Sequence, residues 1–291
     1  MSTFNEADLF GTREEPKPKR GGRNLWLATI VGLVLLAGAV ALARYSALGF
    51  TVFAYALCIA AYPEWKRALA RQGRVISLTP IIAATAGIGV STWYSGREGL
   101  IVAVLVACGG LIAWRLVDDW LENTLHDVLA NILTIVWIPF LASFAVLMES
   151  AEGGHRRVII FILAVVGNDT GGLFVGMLFG QHKMAPKISP KKTWEGAVGG
   201  LVAGTLLATA AAWYWREWFD GRWWIGIVVG VASVVGAIFG DLAESALKRD
   251  IDIKDMSGVL PGHGGVLDRL DGILVAAPIA FVVFAFFLGS Q

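Results

Sequence analysis

The 291-residue sequence is short of charge, of cysteine and of histidine. Asp, Glu, Lys and Arg supply only 16% of it, against about 25% in an ordinary soluble domain, while 56% is hydrophobic. That balance excludes a soluble single domain. The two cysteines, Cys58 and Cys108, each lie inside an apolar run with no CxxC spacing. They exclude a disulfide framework and a cysteine zinc site, and read as small packing residues. Lys plus Arg (24) nearly cancels Asp plus Glu (23), so no overall field draws the chain to nucleic acid or to an acidic partner. Also missing is the ten-residue polar/apolar alternation of a transmembrane barrel.

What is present is a series of apolar runs of the length a helix needs to cross about 30 Å of hydrocarbon. They lie near 25–43, 47–62, 76–94, 99–115, 128–148, 158–180, 197–215, 223–244 and 272–289. Irregular backbone facing lipid leaves polar groups unsatisfied, so these runs predict an all-α, polytopic integral membrane bundle of about nine transmembrane helices. Residues 1–24, with Glu14, Glu15, Pro16, Lys17, Pro18, Lys19 and Arg20 crowded together, read as a disordered tail. The first apolar run is too long for a signal core and lacks a clear cleavage site, so it is expected to remain as a span. Residues 25–150 then form the N-terminal helices, and 151–291 a C-terminal region with polar loops at 181–196 and 245–271.

Positively charged loops stay in the cytoplasm. With the N-terminus inside, the tail, 63–75, 115–127, 181–196 and 245–271 hold eighteen Lys and Arg. Six fall on the other side: Arg44, Arg97, Arg156, Arg157, Arg216 and Arg222. The expected orientation therefore places both long polar loops in the cytoplasm, in a bacterial inner membrane.

Several polar residues interrupt the apolar runs. Asn168 and Asp169 fall midway through 158–180, where a charge costs about 2.5–3.5 kcal/mol even on the lenient insertion scale. Gly172, Gly176 and Gly180 recur at every fourth position and let a neighbouring helix approach closely. Asp169 is then either a carboxylate paired with a lysine in a helix contact or part of a polar site. Asp241, Ser245 and Lys248, at i, i+4 and i+7, share one helical face, an arrangement that a helix end emerging into water also produces by chance.

The stretch from Lys248 to Asp271 sharpens the choice. Gly258, Gly262, Gly264 and Gly265 let its backbone fold closely around a ligand, and Asp268 and Asp271, at i and i+3, share a face as the last helix begins. Such oxygen donors suit a hard cation like Mg2+, which also takes a substrate phosphate. Asp250 and Asp252 read as solvated, and His263 lacks a second zinc ligand at the right spacing. In the other loop, Lys183, Lys187, Ser189, Lys191, Lys192 and Thr193 beside a bilayer fit phosphate binding. Topology alone accounts for the lysines, but not for Thr193 and Glu195.

Ser245, Lys248, Arg249, Lys254, Asp255, Ser257, Leu260, Pro261, His263, Gly264, Gly265, Val266, Asp268, Arg269, Leu270 and Asp271 together resemble the signature of the phosphatidate cytidylyltransferase (CDP-diacylglycerol synthase) family. Asp169, Phe179-Gly180, His182-Lys183, Ala185-Pro186 and Ser189 to Gly196 follow the same family's upstream order. The resemblance covers about the last 120 residues. It departs at Leu173 and Phe174, where many members carry Ala-Tyr, and at Met177, where they carry Arg; contacts made there are not carried over.

The resemblance implies transfer of a cytidylyl group from CTP to phosphatidate, releasing pyrophosphate, with divalent metal. It implies Lys248, Asp268, Asp241 and Lys192 as catalytic residues. Asp241 and Asp268 become metal ligands, joined as candidates by Asp169 and Asp271, for Mg2+ with room for a second cation. Substrate contacts are expected at Ser189, Lys191, Thr193, Ser245, Arg249, Lys254, His263, Gly264, Gly265 and Arg269. Expected partners are CTP, phosphatidate and the bilayer, not nucleic acid, with a homodimer left open. The rivals are a related membrane enzyme acting on an ether lipid or polyprenol and, in a different class, an ion-coupled transporter. A CDP-alcohol phosphotransferase is disfavoured because its Asp-Gly-x-x-Ala-Arg motif is absent.

Overall fold

A computed structural model describes residues 25–117, 123–253, 256 and 265–289. The tail expected at 1–24, and the site candidates Lys254, His263 and Gly264, lie outside the described residues. Among the described residues nine α-helices run in chain order: α1 (Leu25–Tyr45), α2 (Ala47–Ala70), α3 (Leu78–Val117), α4 (Thr124–Ile135), α5 (Leu141–Ser150), α6 (Gly154–Phe179), α7 (Trp194–Tyr214), α8 (Ile225–Asp250) and α9 (Leu267–Leu288). The membrane bundle expected from composition is what forms.

Among the described residues, seven helices are long and apolar enough to cross a membrane, with Ile30–Tyr45 as a shorter apolar one. The difference from nine runs has two sources: α1 counts only as the shorter helix, and two of the runs fall in α3. α3, at 40 residues, is a double length broken at Gly96, whose φ of 56° and ψ of −133° interrupt the helix between the runs expected at 76–94 and 99–115. α4 and α5 join through a π-helical turn at Val136–Phe140, where Pro139 lacks the N–H that a regular helix needs, and together they make the one crossing expected at 128–148.

Three boundaries also move. α2 continues past Pro63 to Ala70, so Glu64 and Trp65, assigned by sequence to a loop, are buried helix residues. α8 continues to Asp250, so Ser245, Lys248 and Arg249 are helical. Residues 181–193, read only as a loop, form a two-stranded antiparallel hairpin, β1 (Lys183–Ala185) with β2 (Ser189–Thr193), pairing Lys183 with Thr193 and Ala185 with Ser189.

α6 to α9 pack through small residues, as helices must when lipid removes the hydrophobic drive to associate. α6 and α7 meet along two glycine rows: a methyl group added at Gly167 would stand 2.6 Å from the Gly204 Cα, and one at Gly200 would stand 2.5 Å from Asn168 Oδ1. The fourfold spacing of Gly172 and Gly176 is thus a helix contact, against Gly196 and Gly200. Gly230 closes on Thr205, and Gly236 on Ala276, which brings in α8 and α9. In the N-terminal half hydroxyls do the joining: Trp65 donates to Thr134 at 2.8 Å, and Tyr55 pairs with Ser143 at 2.8 Å. Gly200→Ala should therefore cost about 1–3 kcal/mol through the forced separation of α6 and α7. Gly38→Ala, with nothing within 4 Å of the added methyl, should leave thermal unfolding in detergent unchanged. Equal melting shifts in the two variants would contradict this packing.

Away from the hairpin, Arg157 and Arg222 donate to the carbonyls of Gly289 and Phe287 at 3.1 and 2.9 Å, satisfying groups that the end of α9 leaves open. Two of the six arginines counted on that side thus have a structural task.

Candidate active site

The site lies where the hairpin end of α6 to α9 gathers the interrupting acids. Asp169 on α6 lies within electrostatic reach of Asp241 on α8, and Asp271 on α9 of both. α8 and α9 run antiparallel with Gly240 against the Asp271 carbonyl, so Asp271 shares the level of Asp241. Asp268, a turn earlier on α9, meets Lys248, two turns later on α8: Lys248 Nζ donates to Asp268 Oδ1 at 2.9 Å and lies 3.1 Å from Glu244 Oε1.

Asp268 is heavily engaged. Besides Lys248, its carboxylate accepts from the backbone N–H groups of Met256, at 3.1 Å, and Gly265, at 2.7 Å. The sequence pairs Asp268 with Asp241; the structure instead gives Asp241 the company of Asp169 and Asp271, and gives Asp268 the role of tying the start of α9 to Lys248. Lys192, reaching in from β2, forms an ion pair with Asp241. Ser245 Oγ stands 3.5 Å from Asp241 Oδ1, so the i, i+4 part of the shared face is kept, whereas Lys248 turns towards Glu244 and Asp268. Arg269 is in electrostatic reach of Asp169.

Other expected contacts resolve into supports. Thr193 is buried; its hydroxyl accepts the Gly196 N–H at 3.2 Å and caps α7. Arg249 donates to the carbonyls of Ile188, at 3.0 Å, and Ile253, joining the hairpin to the chain after α8. Ser189 and Lys191 stand on β2, and Lys191 is exposed. Gly265 gives its N–H to Asp268.

The sequence reading missed two acids, Glu244 and Glu64, and gave Glu195 no task. Glu244, fully buried beside Lys248, Asp268 and Asp271, carries the signal of an acid three residues after Asp241 on an apolar helix. Glu195 accepts from the His182 ring at 2.6 Å and from the N–H groups of Gln181 and His182, fastening the end of α6 to the start of α7.

Five carboxylates, Asp169, Asp241, Glu244, Asp268 and Asp271, thus meet three cations, Lys192, Lys248 and Arg269. All are hard oxygen donors, and the excess is anionic. Among the described residues no three acidic, histidine or cysteine side chains close into a ready-made cage. A divalent cation held here would need waters or phosphate oxygens to complete its shell. Asp241, Asp169 and Asp271 fit the ion better than Asp268, whose oxygens already serve three donors.

Helical spans and a glycine-seamed core thus gather a polar cluster of acids and lysines at one end of a membrane bundle. The chain belongs to the cytidylyltransferase family, whose model matches residues 26–287. It is 37% identical to the phosphatidate cytidylyltransferase of Mycobacterium bovis, over 96% of this chain and 94% of that protein. It is 33% identical to that of Brucella suis, over 91% of this chain and 94% of that protein. With the phosphatidate cytidylyltransferase of Haemophilus influenzae it shares 38% identity over 58% of this chain and 60% of the relative.

Proposed function

We propose that the chain transfers the cytidylyl group of CTP to phosphatidate, giving CDP-diacylglycerol and pyrophosphate. The observation that carries this reading is the junction of Lys192 with Asp241 beside Asp169 and Asp271, a phosphate-handling cluster inside a bilayer-spanning bundle. A phosphatidate oxygen attacks the α-phosphorus of CTP, a P–O bond forms, and the bond to the β-phosphate breaks. Two anions must meet, so positioning and charge neutralisation do most of the catalysis.

Lys192 neutralises phosphate charge next to the bilayer, where the lipid headgroup or the departing pyrophosphate lies. Lys248, held by Glu244 and Asp268, sets a fixed cation beside the CTP phosphates. Asp241, Asp169 and Asp271 would hold Mg2+, which when bound would spread the negative charge developing on the phosphoryl oxygens. In this reading the hairpin and the loop before α9 face the cytoplasm of a cell with an inner membrane, so that CTP arrives from water while the lipid stays in the bilayer.

Detergent-purified protein given CTP and phosphatidate should form CDP-diacylglycerol and pyrophosphate in equal amounts, and should form no product with a polyprenol in place of phosphatidate. Product from polyprenol alone would favour the related-enzyme reading. Orientation has its own test. Ser189→Cys and Asp252→Cys should label from the cytoplasmic face of intact cells or inverted vesicles, and Glu217→Cys from the opposite face. Labelling of positions 189 and 252 from opposite faces would rule out a shared site.

A further inference from the structure

Glu64 stands on α2, in the half of the chain that carries none of the signature residues. It is 1% exposed in an apolar helix, where a carboxylate needs compensation. Part of that compensation comes from 203 residues further along the chain: the backbone N–H of Leu267, the first residue of α9, donates to Glu64 Oε2 at 3.1 Å. An acceptor at a helix N-terminus satisfies a group the helix cannot. Side chains that do this normally come from the residues just before the helix; here Val266 precedes α9 and has no acceptor to offer.

The same carboxylate presses on Gly265. A methyl group there would run into Glu64 Oε2 and stand 3.2 Å from Asp268 Oδ2. From the other side Asp268 accepts the Gly265 N–H at 2.7 Å and then receives Lys248 at 2.9 Å. A continuous chain of contacts therefore runs from Glu64, through the turn at 265–267, to Asp268 and Lys248. We infer that Glu64 is a positioning residue: it clamps the turn that enters α9, and through it the Lys248–Asp268 pair, making the N-terminal helices a working part of the site rather than a membrane anchor.

The acceptor does this, not the charge, and three variants separate the two. Glu64→Gln keeps an oxygen at full reach, Glu64→Asp keeps the charge but withdraws it by one methylene, and Glu64→Leu removes both. In full-length protein, kcat for CDP-diacylglycerol formation should fall roughly 10- to 100-fold in the Asp and Leu variants, the range for leaving a buried donor without its partner. KM for CTP and for phosphatidate should change by less than about threefold. The Gln variant should stay near the unmutated enzyme.

Amide exchange supplies a readout independent of activity: residues 265–270 should open faster in the Asp and Leu variants, with α6 and α7 unchanged. The kinetic arm rests on the cytidylyl-transfer reading; the exchange arm does not. An unmutated protein without transferase activity would remove that reading and leave exchange to decide the clamp. If Leu at 64 prevents folding, the Asp variant carries the test alone. Unchanged exchange at 265–270, equal loosening of α6 and α7, or a Gln variant as impaired as the Asp variant would each overturn the proposal.

Discussion

Asp241→Asn should yield a protein that inserts and melts normally yet turns over roughly 100- to 10,000-fold more slowly, the several kcal/mol that metal-assisted charge stabilisation supplies. A neutral amide is a poor ligand for a hard cation, so the loss falls on the chemical step. The arrangement of the acids makes the expectation more specific. Asp271 shares the level and the field of Asp241, so Asp241→Asn and Asp271→Asn together should cost little more than either alone, since both act on one ion. Asp268 serves Lys248 instead, so its loss should be non-additive with Lys248→Met and closer to independent of Asp241. Double-mutant cycles on kcat/KM measure both couplings. Normal turnover by a well-expressed Asp241→Asn protein would remove the metal role.

Lys192→Gln carries the second large effect. A lysine that served topology alone could be neutralised cheaply. Lys192 instead leaves the hairpin to pair with Asp241, in a place where a substrate phosphate can take over its charge. Loss of such a contact in the transition state should cost about 2–4 kcal/mol, or roughly 30- to 1,000-fold in rate. Lys187→Gln, at an exposed position in the same hairpin, should change the rate by less than about threefold. A Lys192→Gln enzyme that inserts normally and keeps nearly full activity at every concentration of CTP and phosphatidate would return the hairpin lysines to the role of topological signals.

The membrane bundle was legible because hydrocarbon imposes one solution on long apolar runs, and the glycine seam because a fourfold spacing of Gly172 and Gly176 has few other uses in a membrane. Asp169 and Asp241 were legible because charge in an apolar run demands a partner, and Asp268 and Asp271 because acids at i and i+3 share a face where a helix begins. Which acid faces which was not. The pairing of Asp241 with Asp271 rather than Asp268 follows from the stagger of α8 against α9, and that is set by Gly236 and Gly240, whose contacts lie 31 to 43 residues along the sequence. The fates of Thr193 and Arg249 were hidden for a related reason: a hydroxyl or guanidinium suited to phosphate is equally suited to a helix cap or a loop carbonyl, and only geometry decides. Glu64 was least legible. The apolar run at 47–62 ends before it, but the helix continues through Pro63, and the group Glu64 serves lies at the other end of the chain.

The central claim is attack at the α-phosphorus of CTP by a lipid phosphate, and the position of a radioactive phosphorus tests it most directly. Purified protein with phosphatidate should move label from [α-32P]CTP into the chloroform-soluble lipid, while label from [γ-32P]CTP should appear only in pyrophosphate. Label from the γ position in the lipid would mean phosphoryl transfer by a CTP-dependent kinase and would contradict the account.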